Sequence, residues 1–297
     1  MQVSDDSTAG VVLAGGRSSR MGTPKAALEW HGSTLLYRTT AVLARTLTGP
    51  VVVVAAPEQE LPELPPGVHV VEDPVEGLGP MQGIAAGLRA VADRAPTAFV
   101  CSTDMPFLHP AFLRQVLRGF DAGETDLVLP VARGFRQPLA AGYRCALAAL
   151  MEGLAADGTL RLGTLYTRCR VEELGDAQLL ADPDLARLDP ELDSVLNVNA
   201  PDDYVAARRR PCPEIVVECL GALAAGGRRP RQVRAATLGG AAAAVGLALD
   251  PYVMAALNGR EITRDPQLPL VAGDTVAFLA VETSGADDCA ETGRRIR

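Results

Sequence analysis

Short apolar runs alternate with segments of helical periodicity between residues 9 and 130, and this alternation constrains the fold more than any other feature of the chain. Strands are predicted at 9–13, 50–56, 68–71, 97–101 and 126–130, and helices at 33–47, with Ser33 as cap, 80–91 and 110–120. Strands linked through helices form right-handed crossovers in a sheet that is covered on both faces. The pattern therefore predicts an α/β fold with a mostly parallel sheet.

The pattern is less regular after Gln137 and ends with a strand at 195–199 and a helix at 201–208. A charge run broken by two prolines follows and is typical of a linker. Beyond it, strands at 214–219, 232–237, 253–257 and 274–281 and an Ala/Gly-rich helix at 239–247 predict a smaller α+β unit. We predict a first domain at 1–208, a linker at 209–213, a second domain at 214–284 and a disordered tail at 285–297.

Charge and hydropathy exclude several classes of function. The net charge of −8 and pI near 5.0 argue against a duplex nucleic acid or an anionic membrane as partner, because both need a basic face. No secretory signal is evident, and the longest apolar run, 238–249, is too short to span a bilayer. The six cysteines lack C-x-x-C spacing and are expected to be free thiols. These features predict a cytoplasmic protein.

The loop after the first strand, LAGGRSSRMGTPK at 13–25, carries the strongest chemical signal. Gly15 and Gly16 allow the backbone to take positive φ and to approach a ligand closely, which would turn consecutive N–H groups toward an anion. Arg17, Arg20 and Lys25 follow, and Lys25 is the only lysine among 28 basic residues. Neither the dinucleotide fingerprint nor the P-loop spacing is present. Because ligands of open α/β sheets bind beyond the carboxyl ends of the strands, the loop predicts a phosphate site in which Lys25 supplies a compact charge.

LAGGRSSRMGTPK resembles the signature of the molybdenum cofactor guanylyltransferases, within a wider family of nucleotidyltransferases. Four further segments resemble that family in the same order along about the first 208 residues. They are EDPVEGLGPMQGI (72–84), STDMPFL (102–108), RQPLAAGY (136–143) and NVNAPDDY (197–204). The resemblance implies a Rossmann-like enzyme that transfers GMP from GTP to the terminal phosphate of molybdopterin and releases pyrophosphate.

The resemblance also implies roles for individual residues. Leu13, Ala14, Gly15 and Gly16 would line the guanine and phosphate loop. Lys25, with Arg20, would hold the phosphates, Asp73 would contact the nucleoside and Asp104 would bind Mg²⁺. Asn197 and Asn199 would lie near the metal and the pterin phosphate. One carboxylate can suffice for Mg²⁺, because this ion commonly keeps water and substrate phosphates as ligands.

Structural alternatives stay open for several of these residues. Asp104 could cap the following helix, and Asp73 before Pro74 could be a turn residue. Asn197 and Asn199 alternate along a predicted strand and could make structural hydrogen bonds alone. The three histidines, at 31, 69 and 109, show no metal-ligand spacing and are expected at the surface or in turns. The choice of GTP over CTP depends on the resemblance of L-A-G-G, since cytidylyl relatives tend to carry L-A-A-G.

The C-terminal unit resembles the β-grasp sulfur carriers of molybdopterin and thiamine synthesis, which are small ubiquitin-like proteins. Those carriers act through a C-terminal Gly-Gly, whereas this chain reads Glu282-Thr-Ser-Gly285 and continues to Arg297. The resemblance therefore implies a degenerate carrier that serves as a docking module, with a protein of molybdopterin synthesis as its partner. Two further functions stay open: a nucleotidyltransferase that uses CTP or another phosphorylated acceptor, and a sulfur-carrier or adaptor protein.

Overall fold

The computed structural model describes residues 7–15, 24–73, 79–121, 123–224 and 229–280. The first of two sheets has eight strands. They are β1 Thr8–Leu13, β2 Val51–Ala55, β3 His69–Glu72, β4 Thr97–Ser102, β5 Leu127–Ala132, β6 Phe135–Arg136, β7 Ala140–Arg144 and β8 Val171–Gly175.

This sheet has the order β3-β2-β1-β4-β7-β5, with β6 and β8 also pairing with β5. The pairs from β3 to β4 and the β5–β8 pair are parallel, and β7 is antiparallel to both of its neighbours. Strands β1, β2, β4 and β5 consequently run in one direction, and their carboxyl ends meet at one edge. The prediction of an α/β fold with a mostly parallel sheet is confirmed.

Helices cover both faces of the sheet. They are α1 Leu35–Thr46, α2 Pro80–Val91, α3 Pro110–Arg118, α4 Leu147–Ala156, α5 Leu162–Tyr166, α6 Asp176–Leu179, α7 Pro183–Leu188 and α8 Pro201–Arg208. Alternate residues of the valine run in β2 point to opposite faces: Val52 and Val54 pack with α2, and Val51 and Val53 with α1 and α3. A continuous apolar strand is what burial on both faces requires.

The second sheet lies in the C-terminal part of the chain. Its strands are β9 Glu214–Leu220, β10 Arg231–Arg234, β11 Val253–Leu257, β12 Glu261–Thr263 and β13 Thr275–Ala280, and its helix is α9 Leu238–Ala244. The strand order is β10-β9-β13-β11-β12, with β9 and β13 parallel and the other pairs antiparallel. A separate core that includes Leu238, Leu270 and Phe278 fills the space between sheet and helix.

Helix α1 joins the two units. Tyr37 donates to Asp265 at 2.6 Å, and Arg45 pairs with Asp274 at 3.0 Å, both side chains of this ion pair being 7% exposed. Arg38 donates only to backbone carbonyls within the described part of the chain, at Pro106, Ala236 and Leu270. Burial and the nearby charge of Arg45 lower the pKa of Arg38 to about 10, so it stays charged at neutral pH. The second unit therefore covers two buried guanidinium groups.

Several local predictions need correction. Thr34 caps α1, because its side chain accepts from the N–H of Tyr37, and Ser33 lies outside the helix. Residues 196–199 form no strand. His109 is 6% exposed and caps α3, its Nδ1 accepting from the N–H of Ala111. The proposed tail at 285–297 lies outside the described residues, and the domain boundaries stay a prediction. Within the described ranges, no helix is long and apolar enough to cross a membrane.

Candidate active site

The candidate site lies where β1 and β4 end. Leu13 and Ser102 are paired as the last residues of these parallel strands. The carbonyl of Leu13 accepts a hydrogen bond from the Thr103 hydroxyl at 2.8 Å, which fixes the two strand ends to each other. The segments that carry Gly15 and Asp104 therefore leave the sheet side by side, as expected for a ligand site of an open α/β sheet.

The start of the β1 loop is held by the neighbouring strand. The N–H groups of Ala14 and Gly15 both donate to the carbonyl of Val54, and the Gln59 side chain donates to the carbonyl of Ala14. Gly15 does not use the positive φ that glycine allows, and the prediction that its N–H turns toward an anion is wrong, because that N–H faces the carbonyl of Val54. A Cβ on Gly15 would lie 3.3 Å from the backbone nitrogen of Ala56, a tight contact that a side chain could make only if the chain shifted by a few tenths of an ångström.

The central part of the predicted phosphate loop lies outside the described residues, and with it Gly16, Arg17 and Arg20. The loop is described again from Pro24, where residues 25–27 form a single 3₁₀ turn. This turn places Lys25 beside the end of β4. The predicted roles of Gly16 and Arg20 stay predictions.

Lys25, Asp104 and Asn199 come together from three distant parts of the chain. The Lys25 Nζ donates to Asp104 Oδ2 at 2.7 Å and to Asn199 Oδ1 at 2.9 Å. The Lys25 and Asp104 side chains are 23% and 13% exposed, so the ion pair is largely shielded but open to solvent on one side. A carboxylate oxygen and an amide oxygen thus converge on one cation at the carboxyl edge of the sheet.

Ser102 orients the Asp104 carboxylate. Its hydroxyl donates to Asp104 Oδ1 at 2.5 Å, so one oxygen is held by Ser102 and the other faces Lys25. Asp104 does not cap the next helix, because that position belongs to His109. The structural alternative for Asp104 is therefore wrong, and its carboxylate serves the cluster.

Asn199 is placed by the turn that begins α8. The Asp203 carboxylate accepts from the N–H groups of Asn199 and Ala200 at 3.1 and 2.9 Å, and the N–H of Val198 donates to the carbonyl of Asp104 at 2.9 Å. Asn197 is also exposed, but in the described contacts it does not join Lys25 or Asp104. The structure thus separates two asparagines that sequence spacing had grouped.

Asp73 follows β3 at the same edge of the sheet. Its N–H donates to the carbonyl of Ala55 at 2.8 Å, which continues the pairing of β2 and β3 by one residue. A Cβ on Gly83 of α2 would lie 3.6 Å from Asp73 Oδ2, so the carboxylate lies against the first turns of that helix. The predicted contact between Asp73 and a nucleoside stays a prediction.

Three aromatic side chains behind the cluster connect the segments that carry it. Trp30 follows Lys25 by five residues, Phe107 follows Asp104 by three and Tyr204 follows Asn199 by five. The Trp30 ring lies 5.6 Å from Phe107 and 6.4 Å from Tyr204 between centroids, and it is 3% exposed. Sequence reasoning missed this set, although the only tryptophan of the chain lies close to its only lysine.

Charge and burial around the site exclude a cysteine nucleophile. Cys101 lies in β4 three residues before Asp104 and is fully buried, and this burial raises the pKa of its thiol well above the usual range. The thiol is therefore protonated at neutral pH, whereas a nucleophile needs the thiolate.

In the described ranges, no group of three or more His, Cys, Asp or Glu side chains is arranged to hold a metal ion.

Comparison with protein families identifies the first unit. The model of the MobA-like NTP transferase domain matches residues 10–169, which is more than half of the 297 residues. The chain belongs to the MobA-like NTP transferase family. The match includes Lys25 and Asp104, and it ends before Asn199 and before the second sheet.

Individual members of this family agree with the match. A Mycobacterium tuberculosis protein named "Probable molybdenum cofactor guanylyltransferase" is 41% identical over 160 residues, covering 53% of this chain and 78% of the relative. A Bacillus anthracis protein of the same name is 31% identical over 203 residues, covering 68% and 96%. The crystal structure of molybdopterin-guanine dinucleotide biosynthesis protein A from Archaeoglobus fulgidus has a TM-score of 0.53 and 26% identity, covering 67% and 96%. This MobA-like chain is therefore a nucleotidyltransferase.

In this MobA-like transferase, Tyr204→Phe tests the aromatic set with little disturbance of packing. The Tyr204 hydroxyl donates to the carbonyl of Glu29 at 2.5 Å and ties α8 to the segment that follows Lys25. Loss of this bond is expected to lower the free energy of unfolding by about 1 kcal/mol, as measured by urea denaturation. Tyr252→Phe makes the same chemical change on a tyrosine that is 59% exposed, and it should leave stability unchanged. Equal stability of both variants would contradict a role for the hydroxyl.

Proposed function

We propose that this protein transfers GMP from GTP to the terminal phosphate of molybdopterin, giving the guanine dinucleotide cofactor and pyrophosphate. The observation that carries the proposal is the convergence of Lys25, Asp104 and Asn199 at the carboxyl edge of a MobA-like sheet. The names of the relatives from Mycobacterium tuberculosis and Bacillus anthracis support the same acceptor and nucleotide.

The residues of the site supply positioning and charge. Lys25, as a compact ammonium group, would bind the phosphates of the nucleotide and stabilise the negative charge that develops on the departing pyrophosphate. The acceptor phosphate is itself the nucleophile and is ionised at neutral pH, so the protein needs no nucleophilic side chain. The protonated thiol of Cys101 fits this interpretation.

Asp104 and Asn199 are the residues that would hold Mg²⁺. The fit is supported by their chemistry, because a carboxylate oxygen and an amide oxygen already face one cation, the Lys25 ammonium. Mg²⁺ prefers such oxygen ligands and needs few from the protein when substrate phosphates complete its shell. When bound, Mg²⁺ would neutralise phosphate charge. Ser102 would hold the Asp104 carboxylate in the orientation that keeps its second oxygen directed to the cation.

GTP is proposed over CTP because Leu13, Ala14, Gly15 and Gly16 match the guanylyl form of the signature. The close contact between Gly15 and Ala56 gives a physical reason for glycine at that position, but it does not distinguish the bases. A nucleotidyltransferase that uses CTP or another phosphorylated acceptor is the alternative. Asp73, at the edge of the sheet beside α2, is proposed to contact the nucleoside.

We propose that the second unit is a β-grasp domain that has lost sulfur-carrier activity and docks a protein of molybdopterin synthesis. Its mixed five-stranded sheet with parallel β9 and β13 and one helix supports a compact α+β unit of this kind. At the position where the carriers have Gly-Gly this chain reads Ser284-Gly285, which argues against sulfur transfer. Failure of the full-length chain to bind the large subunit of molybdopterin synthase would count against docking. A cytoplasmic location is part of this proposal.

Pyrophosphate release tests the catalytic proposal directly. The purified protein is given Mg²⁺ and molybdopterin with either GTP or CTP, and Lys25→Arg is measured beside the wild type. We expect release with GTP and its loss in the arginine variant, because a guanidinium group is broader than an ammonium group and cannot take its position. Release with CTP alone would overturn the choice of base. Silence with both nucleotides would favour another acceptor or an adaptor function.

A further inference from the structure

We infer that the Lys25 ammonium holds, in the nucleotide-free protein, the position that a divalent cation takes when nucleotide binds. Lys25 and the metal would then compete for the same oxygens, and nucleotide would resolve the competition by drawing the ammonium to its phosphates. That the cation is divalent rests on the proposed function. The competition itself follows from the geometry of the cluster.

The oxygens around Lys25 form a cation site that is already in use. Nζ lies 2.7 Å from Asp104 Oδ2 and 2.9 Å from Asn199 Oδ1, and the remaining Asp104 oxygen accepts from the Ser102 hydroxyl at 2.5 Å. A metal ion that reached Oδ2 of Asp104 and Oδ1 of Asn199 would lie where the ammonium lies now. Both cannot occupy that position.

The cost of displacing Lys25 is appreciable because the pair is partly buried. Only 23% of the Lys25 side chain and 13% of the Asp104 side chain are exposed, so solvent screens their attraction less than it screens a surface ion pair. A divalent ion that arrives alone must break this pair. A nucleotide phosphate supplies a new anionic partner for the ammonium and removes most of that cost.

A lysine suits this exchange better than an arginine. An ammonium group is a compact point charge on a flexible stem, and it can move between a carboxylate and a phosphate without the fixed planar geometry of a guanidinium group. Lys25 is the only lysine of the chain, and the other residues counted with it as Lys or Arg are all arginines. In this exchange the ammonium group changes its anionic partner, and no proton is transferred and no covalent bond forms or breaks.

Binding of Mn²⁺ to the nucleotide-free, full-length protein tests the inference without any catalytic assay. Wild type and Lys25→Met are titrated with Mn²⁺, and free Mn²⁺ is followed by its electron paramagnetic resonance signal. Methionine keeps an unbranched side chain of similar length but carries no charge. We expect Lys25→Met to bind Mn²⁺ about tenfold more tightly than wild type, which equals about 1.4 kcal/mol. Equal or weaker binding by Lys25→Met, or none, would overturn the inference.

Two control variants separate competition from a change in overall charge. Arg89→Met removes one positive charge from an exposed ion pair with Glu152 on the distant α2–α4 surface, and its Mn²⁺ affinity should equal that of wild type. Asp104→Asn in the Lys25→Met background should abolish the gained affinity. A gain of the same size in Arg89→Met would mean that net charge alone explains the effect and would overturn the inference.

The single lysine of the chain allows displacement to be observed directly. Protein labelled with ¹³Cε-lysine gives one side-chain signal, and diamagnetic Mg²⁺ can be added with and without GTP. The signal should shift at lower Mg²⁺ concentration when GTP is present, and Asp104→Asn should start at a different shift. An unchanged Lys25 signal under conditions where metal binds would overturn the inference. Because no turnover is measured, failure of guanylyl transfer would leave this result interpretable.

Discussion

Asp104→Asn is expected to lower the rate of pyrophosphate release by about 10²- to 10³-fold, the range seen when one preorganised electrostatic group is removed from an active site. Asparagine keeps the shape of the side chain, and its amide oxygen can still accept from Ser102 or Lys25. It lacks the negative charge that faces the cation. The rate is measured at saturating GTP and Mg²⁺ beside the wild type.

The same variant should remain folded. The Lys25–Asp104 pair is largely shielded from solvent, but the asparagine oxygen can still accept from Lys25 or Ser102, so the substitution should lower the free energy of unfolding by only about 1–2 kcal/mol. Asp157→Asn, at the exposed end of α4, is the matched control and should retain the full rate. A full rate in Asp104→Asn would remove this residue from the catalytic proposal, whereas a large loss of stability would make it a structural residue.

Asp274→Ala is expected to cause the largest loss of stability, about 3–5 kcal/mol, because it leaves a buried charge without its partner. Asp274 is 5% exposed and accepts from Arg45 Nη1, from the Asn258 side chain and from the N–H of Val271. Within the described residues, Nε and Nη2 of Arg45 already lack hydrogen-bond partners. Removal of the carboxylate would therefore leave the whole guanidinium group uncompensated.

Urea denaturation of the full-length chain measures this effect. Asp184→Ala breaks a pair with Arg187 in which both side chains are about two-thirds exposed, and it should change stability by about 1 kcal/mol at most. The double variant Arg45→Met and Asp274→Ala should recover part of the loss, because it removes the stranded charge together with its partner. No recovery in the double variant would contradict the role assigned to Arg45.

The elements nearest the site could be predicted because their signals are local. Valine runs bounded by glycine and proline gave β2 within one residue of each end, and the helices at 80–91 and 201–208 have the predicted bounds. Proline at the first turn explains this accuracy, since it is tolerated there and marks a helix start. The meeting of β1 and β4 followed from the rule for carboxyl ends of parallel strands.

Contacts between residues far apart in the sequence could not be predicted as well. Nothing local distinguishes Asn199 from Asn197, because the choice depends on the turn that Asp203 holds. His109 looked like a surface residue, yet its Nε2 also bonds to the carbonyl of Ala272 in the second unit at 3.0 Å. The burial of Arg38 could not be predicted either, since helical periodicity predicts one buried face and α1 is covered on two sides. Such features depend on how the two units pack.

The position of α1 has a consequence for how the two units of this protein unfold and for whether they can be separated. The Bacillus anthracis relative matches 203 residues, which are 96% of its own length, whereas this chain has 297 residues. In this chain α1 places Tyr37, Arg38 and Arg45 against the second unit, and less than a tenth of each side chain is exposed. Because these buried contacts join the two halves, we expect the halves to unfold together. The full-length chain should therefore show a single unfolding transition, and a fragment that ends at residue 208 should be recovered poorly.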